Sequence, residues 1–386
     1  MNALEAALYR GRIGRRRFMQ LALATGASLS AVCAMAQEGG DAAITQLYNA
    51  QNLRDSYAYI VVGSGSGGAT VAGRRVNIPQ SYLYPVLKQG NVTLLTVAEA
   101  TTLIMEGTTC KGVNFVKGGE TKSARAPRVI LSAGAINTPK MLVLSGIGPK
   151  AELDRIGVPV TVDLPGVGQN FQDHVLLAGC IWEYNEPLPP RNSLAGATFF
   201  WKSDSALDSP DMQPFQIEVP YATEVTGPSY APPCRGMDPV ARPCPPKSRG
   251  RVYLTSNDPM AQAREDAQFL SHPDDLTAVV RCIELCREIG NSGAMREFVK
   301  REVMPGAFSP AEMQDFAKNA AGTCFHESCT CKMGTDEMSL VDANLSVYGV
   351  EGLSIADASI MPRVTTGNTM APTVIIGERA ADILLA

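Results

Sequence analysis

Histidine is scarce in this sequence, and closely paired cysteines are missing. Three histidines (174, 272 and 326) occur in 386 residues, and the ten cysteines include no C-x-x-C pair. That set cannot supply the ligand spacing of a structural zinc site. Basic runs stop at Arg17, and the chain carries a formal charge of −4. A nucleic-acid binder needs a basic stripe to meet the phosphate backbone, so that class is excluded. Aromatic residues make up 6%. Glycine at 35 and proline at 26 fit a loop-rich globular protein, not a collagen, coiled coil or disordered chain. No internal repeat and no low-complexity segment is present.

What is there is ample hydrophobic material. At 45% hydrophobic over 386 residues the chain can bury a large core and divide into two or so domains. The first 36 residues are set apart by five arginines against one glutamate, and removing them takes the formal charge from −4 to −8. Arg15-Arg16-Arg17-Phe18-Met19 precedes an uncharged stretch ending in Ala34-Met35-Ala36. This reads as a twin-arginine export signal with an A-x-A cleavage site, over residues 1–36. A membrane anchor is the alternative, but the stretch is barely long enough and too polar. The expected location is periplasmic or exported, with no stable membrane span. Twin-arginine export carries folded proteins, often with a cofactor already bound. Most cysteines read as small buried hydrophobes, and one disulfide within residues 324–331 is left open.

Along the chain, Tyr59-Ile60-Val61-Val62 predicts a buried strand. "NVTLLT", "TTLIM", "CKGVNFVK" and "RVILSAG" predict a β-meander over 91–131, with turns at Glu106-Gly107 and Lys117-Gly118-Gly119. "NTPKMLVLSGIG" predicts a short helix, with Thr138 as cap, Pro139 in its first turn and Gly146 at its end. Residues 171–255 are rich in Pro, Asp and Ser and weakly periodic. "DDLTAVVRCIELCREIG" predicts an amphipathic helix over 274–290, capped by Asp274 and closed by Gly290. "LSIADAS" predicts a strand ending in a loop, and "TMAPTVIIGERAADILLA" a closing helix.

Gly63-Ser64-Gly65-Ser66-Gly67-Gly68 satisfies G-x-G-x-x-G directly after a strand. The first glycine permits a tight turn, the second lets backbone approach a pyrophosphate, and the third lets a following helix pack on the strand. A short helix is therefore expected after it. The motif does not choose between NAD and FAD. The acidic ribose clamp expected about 20 residues on is missing. Glu99 is the nearest acid, and it falls inside the meander.

Four separated segments resemble the glucose–methanol–choline (GMC) oxidoreductases, FAD enzymes that oxidise alcohols. "GAINTPKMLVLSGIG" (134–148) is similar to that family's second signature, and "GVGQNFQDH" (166–174) to the loop before its substrate domain. "FHESCTCKMG" (325–334) resembles its histidine-bearing active-site segment, and 341–384 its C-terminal block. The resemblance implies an α/β fold. It has a Rossmann-like FAD-binding domain with a β-meander, and an α+β substrate domain with an antiparallel sheet. The implied limits are 37–165 and 336–386 for the FAD domain and 166–335 for the substrate domain. Where the family continues into further strands and its first signature, the segment ending at Arg75 runs straight on through Val76 into Asn77-Ile78-Pro79. A large internal block is thus missing, and the FAD domain is expected to be incomplete. "NIPQSYLYPVL" resembles a helix that normally comes much later.

The resemblance assigns His326 as the base that takes a hydroxyl proton while hydride leaves for flavin N5, and Asn368 as its polar partner. It places Gly63, Ser64, Gly65, Gly68, Ala100, Asp357, Ala358 and Thr369 on FAD. His174 and His272 match family positions without catalytic roles and read as structural. The implied partners are a small alcohol and a quinone or other electron acceptor; no metal is implied. Three other readings stand beside this one: a non-catalytic shortened member holding FAD weakly or not at all, an NAD(P) dehydrogenase, and a non-redox lyase on the same scaffold.

Overall fold

The structure is a computed structural model, and it describes residues 59–62, 68–71, 74–186, 195–233, 236–240 and 245–385. The chain divides into two compact units. One comprises residues 1–104 with 111–129, and the other residues 105–110 with 130–386. The export signal and Gly63, Ser64 and Gly65 lie outside the described residues.

In the first unit the strand expected at Tyr59–Val62 is formed. The helix expected after the glycine turn is not. Gly68–Val71 instead pairs antiparallel with Arg74–Asn77, with Val71 opposite Arg74. Val71 and Val76 are β-branched residues that favour extended backbone, and only two residues separate the arms. The segment Pro79–Leu83 forms one π-helical turn.

The meander is present as Glu99–Glu106, Thr109–Lys117 and Glu120–Arg125, paired in that order. Its first strand starts at Glu99, so "NVTLLT" precedes the sheet instead of opening it. The Lys117 ammonium donates to the Thr96 carbonyl, tying that lead-in down as a loop. Gly112 is required by close approach, since a Cβ there would lie 2.1 Å from the Ala124 carbonyl oxygen.

The second unit is built around a five-stranded sheet. Its order is Ala195–Thr198, Phe215–Ile217, Gly236–Val240, Ile181–Tyr184, Val299–Met304. Each pairing in it is antiparallel, as the substrate-domain resemblance implies. Helices Pro273–Gly290 and Pro310–Ala320 bury Val279, Cys282, Ile283, Met313 and Phe316 in one core with Ile181, Trp182 and Met304. Each fully buried large side chain contributes about 1.5–3 kcal/mol of transfer free energy. The Trp182 indole lies against the end of the first of these helices. Its N–H donates to Asn291 Oδ1 at 2.9 Å, and a Cβ on Gly290 would lie 2.4 Å from the ring.

Helix starts differ from the sequence expectation in two places. His272 Nδ1, not Asp274, caps the Pro273–Gly290 helix by accepting the Asp274 N–H at 3.2 Å. The earlier helix runs Gly134–Leu144, so Thr138 and Pro139 fall inside it. Its start is held from far along the chain: Asp357 Oδ2 accepts the Gly134 N–H at 2.9 Å and the Thr138 hydroxyl at 2.6 Å. Gly146, at φ +79°, ends it as expected.

The seven described cysteines are free thiols, including all three of the 324–331 segment, so no disulfide closes that loop. Cys329 instead donates its thiol to Ser328 Oγ, and burial pushes that thiol up to about 12. No described helix is long and apolar enough to cross a membrane.

Candidate active site

The site is assembled by residues 170–174, which tie two later loops together. Val175 pairs with Thr323, the Cys324 N–H donates to the His174 carbonyl, and Gln172 bridges to Ser328. Four residues, 324–327, therefore span the stretch opposite two, Asp173 and His174. The excess bulges outward and carries His326. Asp173 pins the bulge: one oxygen accepts the His326 N–H at 3.0 Å and the other the Thr323 hydroxyl at 2.5 Å. Burial is the main reason the Asp173 carboxyl is raised to about 6. The hydroxyl of Thr323 opposes the rise and the charge of Glu327 adds to it.

The same hub holds the chain before the closing helix. Asn170 Nδ2 donates to the Pro362 carbonyl at 3.1 Å, and Gln172 Oε1 accepts the Val364 N–H at 3.2 Å. The Thr365 hydroxyl donates to the Gly367 carbonyl at 3.0 Å, turning the chain so that Asn368 follows directly before the helix Met370–Leu385.

His174 is fully buried between these loops. Its Nε2 lies 2.8 Å from the Thr365 carbonyl oxygen and its Nδ1 lies 2.9 Å from Nδ1 of His326, with the rings at 87°. A carbonyl only accepts, so Nε2 of His174 carries a hydrogen. In the neutral ring Nδ1 is then an acceptor, and His326 must donate to it from its own Nδ1. That leaves Nε2 of neutral His326 as the nitrogen with a lone pair. Asn368 Nδ2 lies 3.5 Å from this Nε2, while Asn368 Oδ1 accepts from Gln213 Nε2 at 3.3 Å. In this orientation Nδ2, a donor, faces His326 Nε2.

The two residues assigned as catalytic, His326 and Asn368, are brought together. His174, read from sequence as structural, touches His326 directly. Asp173 and Gln213 were not singled out. No spacing rule marks them, because their roles come from pairings 153 and 155 positions apart in the chain. His272 caps a helix, in line with its structural reading.

Gln213 is buried, and its Oε1 has no hydrogen-bond partner among the described residues. Phe325, at φ +59°, is 74% exposed beside His326, and the Phe200 ring reaches within 4.0 Å of where a Cβ on Gly367 would sit. Apolar surface thus flanks the His326–Asn368 pair.

Of the residues expected on FAD, Asp357 is buried, and its side chain is committed to Gly134, Thr138 and Ser359. The Ala358 carbonyl accepts the Cys329 N–H, and the Thr369 carbonyl accepts from Thr373. Ala100 lies in the first meander strand, and Gly68 opens the hairpin.

Profiles of the GMC oxidoreductase family match residues 29–176 and 246–377. An oxygen-dependent choline dehydrogenase of Brucella anthropi is 35% identical over 341 residues, which is 81% of this chain and 61% of that protein. The mitochondrial choline dehydrogenase of Homo sapiens is 36% identical over 352 residues, covering 81% of this chain and 57% of its own. The chain therefore spans less than two thirds of the length of the curated relatives it matches. Among solved structures, pyridoxine 4-oxidase from Mesorbium loti superposes with a TM-score of 0.77 at 29% identity, over 88% of this chain and 69% of that one. The ordered motifs, the antiparallel sheet and both profiles agree, and this chain belongs to the GMC oxidoreductase family.

Proposed function

We propose that this chain is an FAD-dependent oxidoreductase that acts on an alcohol, with His326 as the base. The observation that carries the reading is the chain of contacts from the Thr365 carbonyl through His174 to His326, whose Nε2 lies 3.5 Å from the Asn368 amide nitrogen. A hydroxyl placed there loses its proton to Nε2, and the Asn368 amide N–H steadies the negative charge left on oxygen. FAD, when bound, takes the hydride that leaves the carbon.

The family is FAD-dependent, and this chain fits the flavin in part. The closing helix carries no acidic residue in its first turn, so the positive end of its dipole is uncompensated just behind Asn368. The pyrophosphate side fits less well. Gly68–Val71 and Arg74–Asn77 are paired strands, so among these described residues no helix N-terminus forms to receive the phosphates. That observation favours the second reading, a non-catalytic shortened member that holds FAD weakly or not at all. The domain limits 37–165, 166–335 and 336–386, export through a twin-arginine signal and a quinone as electron acceptor belong to the same proposal and rest on the sequence.

The test is to purify the full chain, measure bound flavin by absorbance, and follow flavin reduction anaerobically with choline, pyridoxine and benzyl alcohol. The proposal expects reduction by at least one of them, and a loss of roughly 10²–10⁴-fold in the His326→Gln variant at unchanged flavin content. Protein that stays colourless when FAD is supplied establishes the second reading instead.

A further inference from the structure

We propose that His174 is a positioning residue that holds His326 in its Nδ1–H tautomer, and so sets which nitrogen of His326 is the base. The inference deepens the reading of His326 as base and rests on it.

The argument begins with a donor count. A lone neutral imidazole in water places its hydrogen on either nitrogen, and only one choice leaves Nε2 bare. In this protein the choice is taken away at the far end of the chain of contacts. The Thr365 carbonyl has no hydrogen to give, so it fixes the hydrogen on His174 Nε2. His174 Nδ1 is then an acceptor at 2.9 Å from His326 Nδ1. A His326 ring with its hydrogen on Nε2 would face this nitrogen lone pair to lone pair, so that tautomer is disfavoured in a buried setting.

The Thr365 carbonyl is itself held in place. Val364, one residue before it, donates to the Gln172 carboxamide, and Gln172 is two residues from His174. The carbonyl and the imidazole are thus anchored to the same short segment. His174 is 0% exposed, so bulk solvent does not reach its ring.

Proton transfer strengthens the arrangement. When His326 Nε2 accepts a proton from the hydroxyl, the ring becomes a cation. Its Nδ1–H then donates to His174 as a charge-assisted bond, shorter and stronger than the neutral one. His174 stabilises the protonated base more than the resting base, although it touches neither the hydroxyl nor the alcohol carbon. That difference between states raises turnover, where equal stabilisation of both would not.

The chain's three histidines make the test direct. In the full chain labelled with ¹⁵N-histidine, the shift of each ring nitrogen reports whether it carries hydrogen. With His272→Asn and His326→Gln as assignment variants, the proposal expects His326 protonated at Nδ1 and bare at Nε2, and His174 the reverse. His174→Leu should return His326 to a mixture of tautomers and lower kcat roughly 10–100-fold with KM within about twofold, as for loss of a residue that orients a catalytic imidazole. His174→Asn, whose carbonyl takes the place of Nδ1 as acceptor, should recover most of the loss.

A wild-type spectrum with hydrogen on His326 Nε2 overturns the proposal. So does a folded leucine variant with an unchanged tautomer, or an asparagine variant no better than leucine. Should the leucine variant fail to fold, the wild-type spectrum and the asparagine variant still decide. If instead His326→Gln keeps full turnover while the spectrum is as expected, it is the assignment of the base that has failed, not the tautomer.

Discussion

The carboxylate of Asp173 accepts the backbone N–H of His326, a residue 153 positions later, at 3.0 Å. It therefore holds the main chain at His326 while His174 next door contacts its ring. The two functions fall to adjacent residues because the bulge over 324–327 crosses the chain at that one point.

Asp173 should give stability a specific pH dependence. Its folded pKa, about 6, stands above the ordinary 3.8 because burial disfavours the charged form. The folded chain thus binds more protons than the unfolded chain between these values, and stability falls as pH rises through them, levelling off above about 6. Two pH units correspond to about 3 kcal/mol. Urea unfolding from pH 4 to 7 should show wild type losing about that much relative to the Asp173→Asn variant. Parallel curves for the two proteins would mean that Asp173 does not titrate in this window.

Gly290→Ala should be costly for one methyl group. The added Cβ meets the Trp182 ring at 2.4 Å, and the ring is held by its bond to Asn291. Overpacking of this kind costs about 1–3 kcal/mol. The urea midpoint should fall accordingly, and adding Trp182→Phe, which removes the six-membered half of the indole, should recover part of it. Additive losses in the double variant would show that the ring is not the obstacle.

Gln213→Leu should affect turnover more than binding. Gln213 is the donor that orients the Asn368 amide at 3.3 Å. Losing that one neutral bond corresponds to about 1.4 kcal/mol, or roughly a tenfold fall in kcat for the reactive alcohol. If Asn368→Ala and Gln213→Leu multiply their effects when combined, the two residues act separately and the orientation argument is wrong.

Asp357→Ala should destabilise the second unit by about 3 kcal/mol. It strips partners from the Gly134 and Ser359 N–H groups and from the Thr138 hydroxyl, all at a buried position. Thermal unfolding of the variant checks this, and a shift under one degree would contradict it.

Much of the fold could be read from residue order. The meander is marked by its glycine turns, and the Pro273–Gly290 helix by its apolar spacing with Val279 and Ile283 inward. Two of the failures share a cause: the deciding partner was remote in sequence. The Gly134–Leu144 helix starts four residues before Thr138 because Asp357 caps it from 223 positions away. Elsewhere the partner was near: Gly68–Val71 paired with Arg74–Asn77 although glycine motif and family resemblance both suggested a helix. The His326–Asn368 pair was legible because both lie within recognisable segments. Gln213 was not, since its segment carries no pattern and its role exists only once the Asn368 loop lies against it.

The contacts joining His174 to His326 and to Thr365 span 152 and 191 positions. On the ribosome, then, the early half of this site emerges long before the parts that orient it. A chain that stops short of Thr365 lacks the carbonyl that fixes the His174 hydrogen, and one that stops short of Asn368 lacks the amide beside His326. The arrangement of the pair is therefore set by segments that the ribosome delivers last of those that meet here.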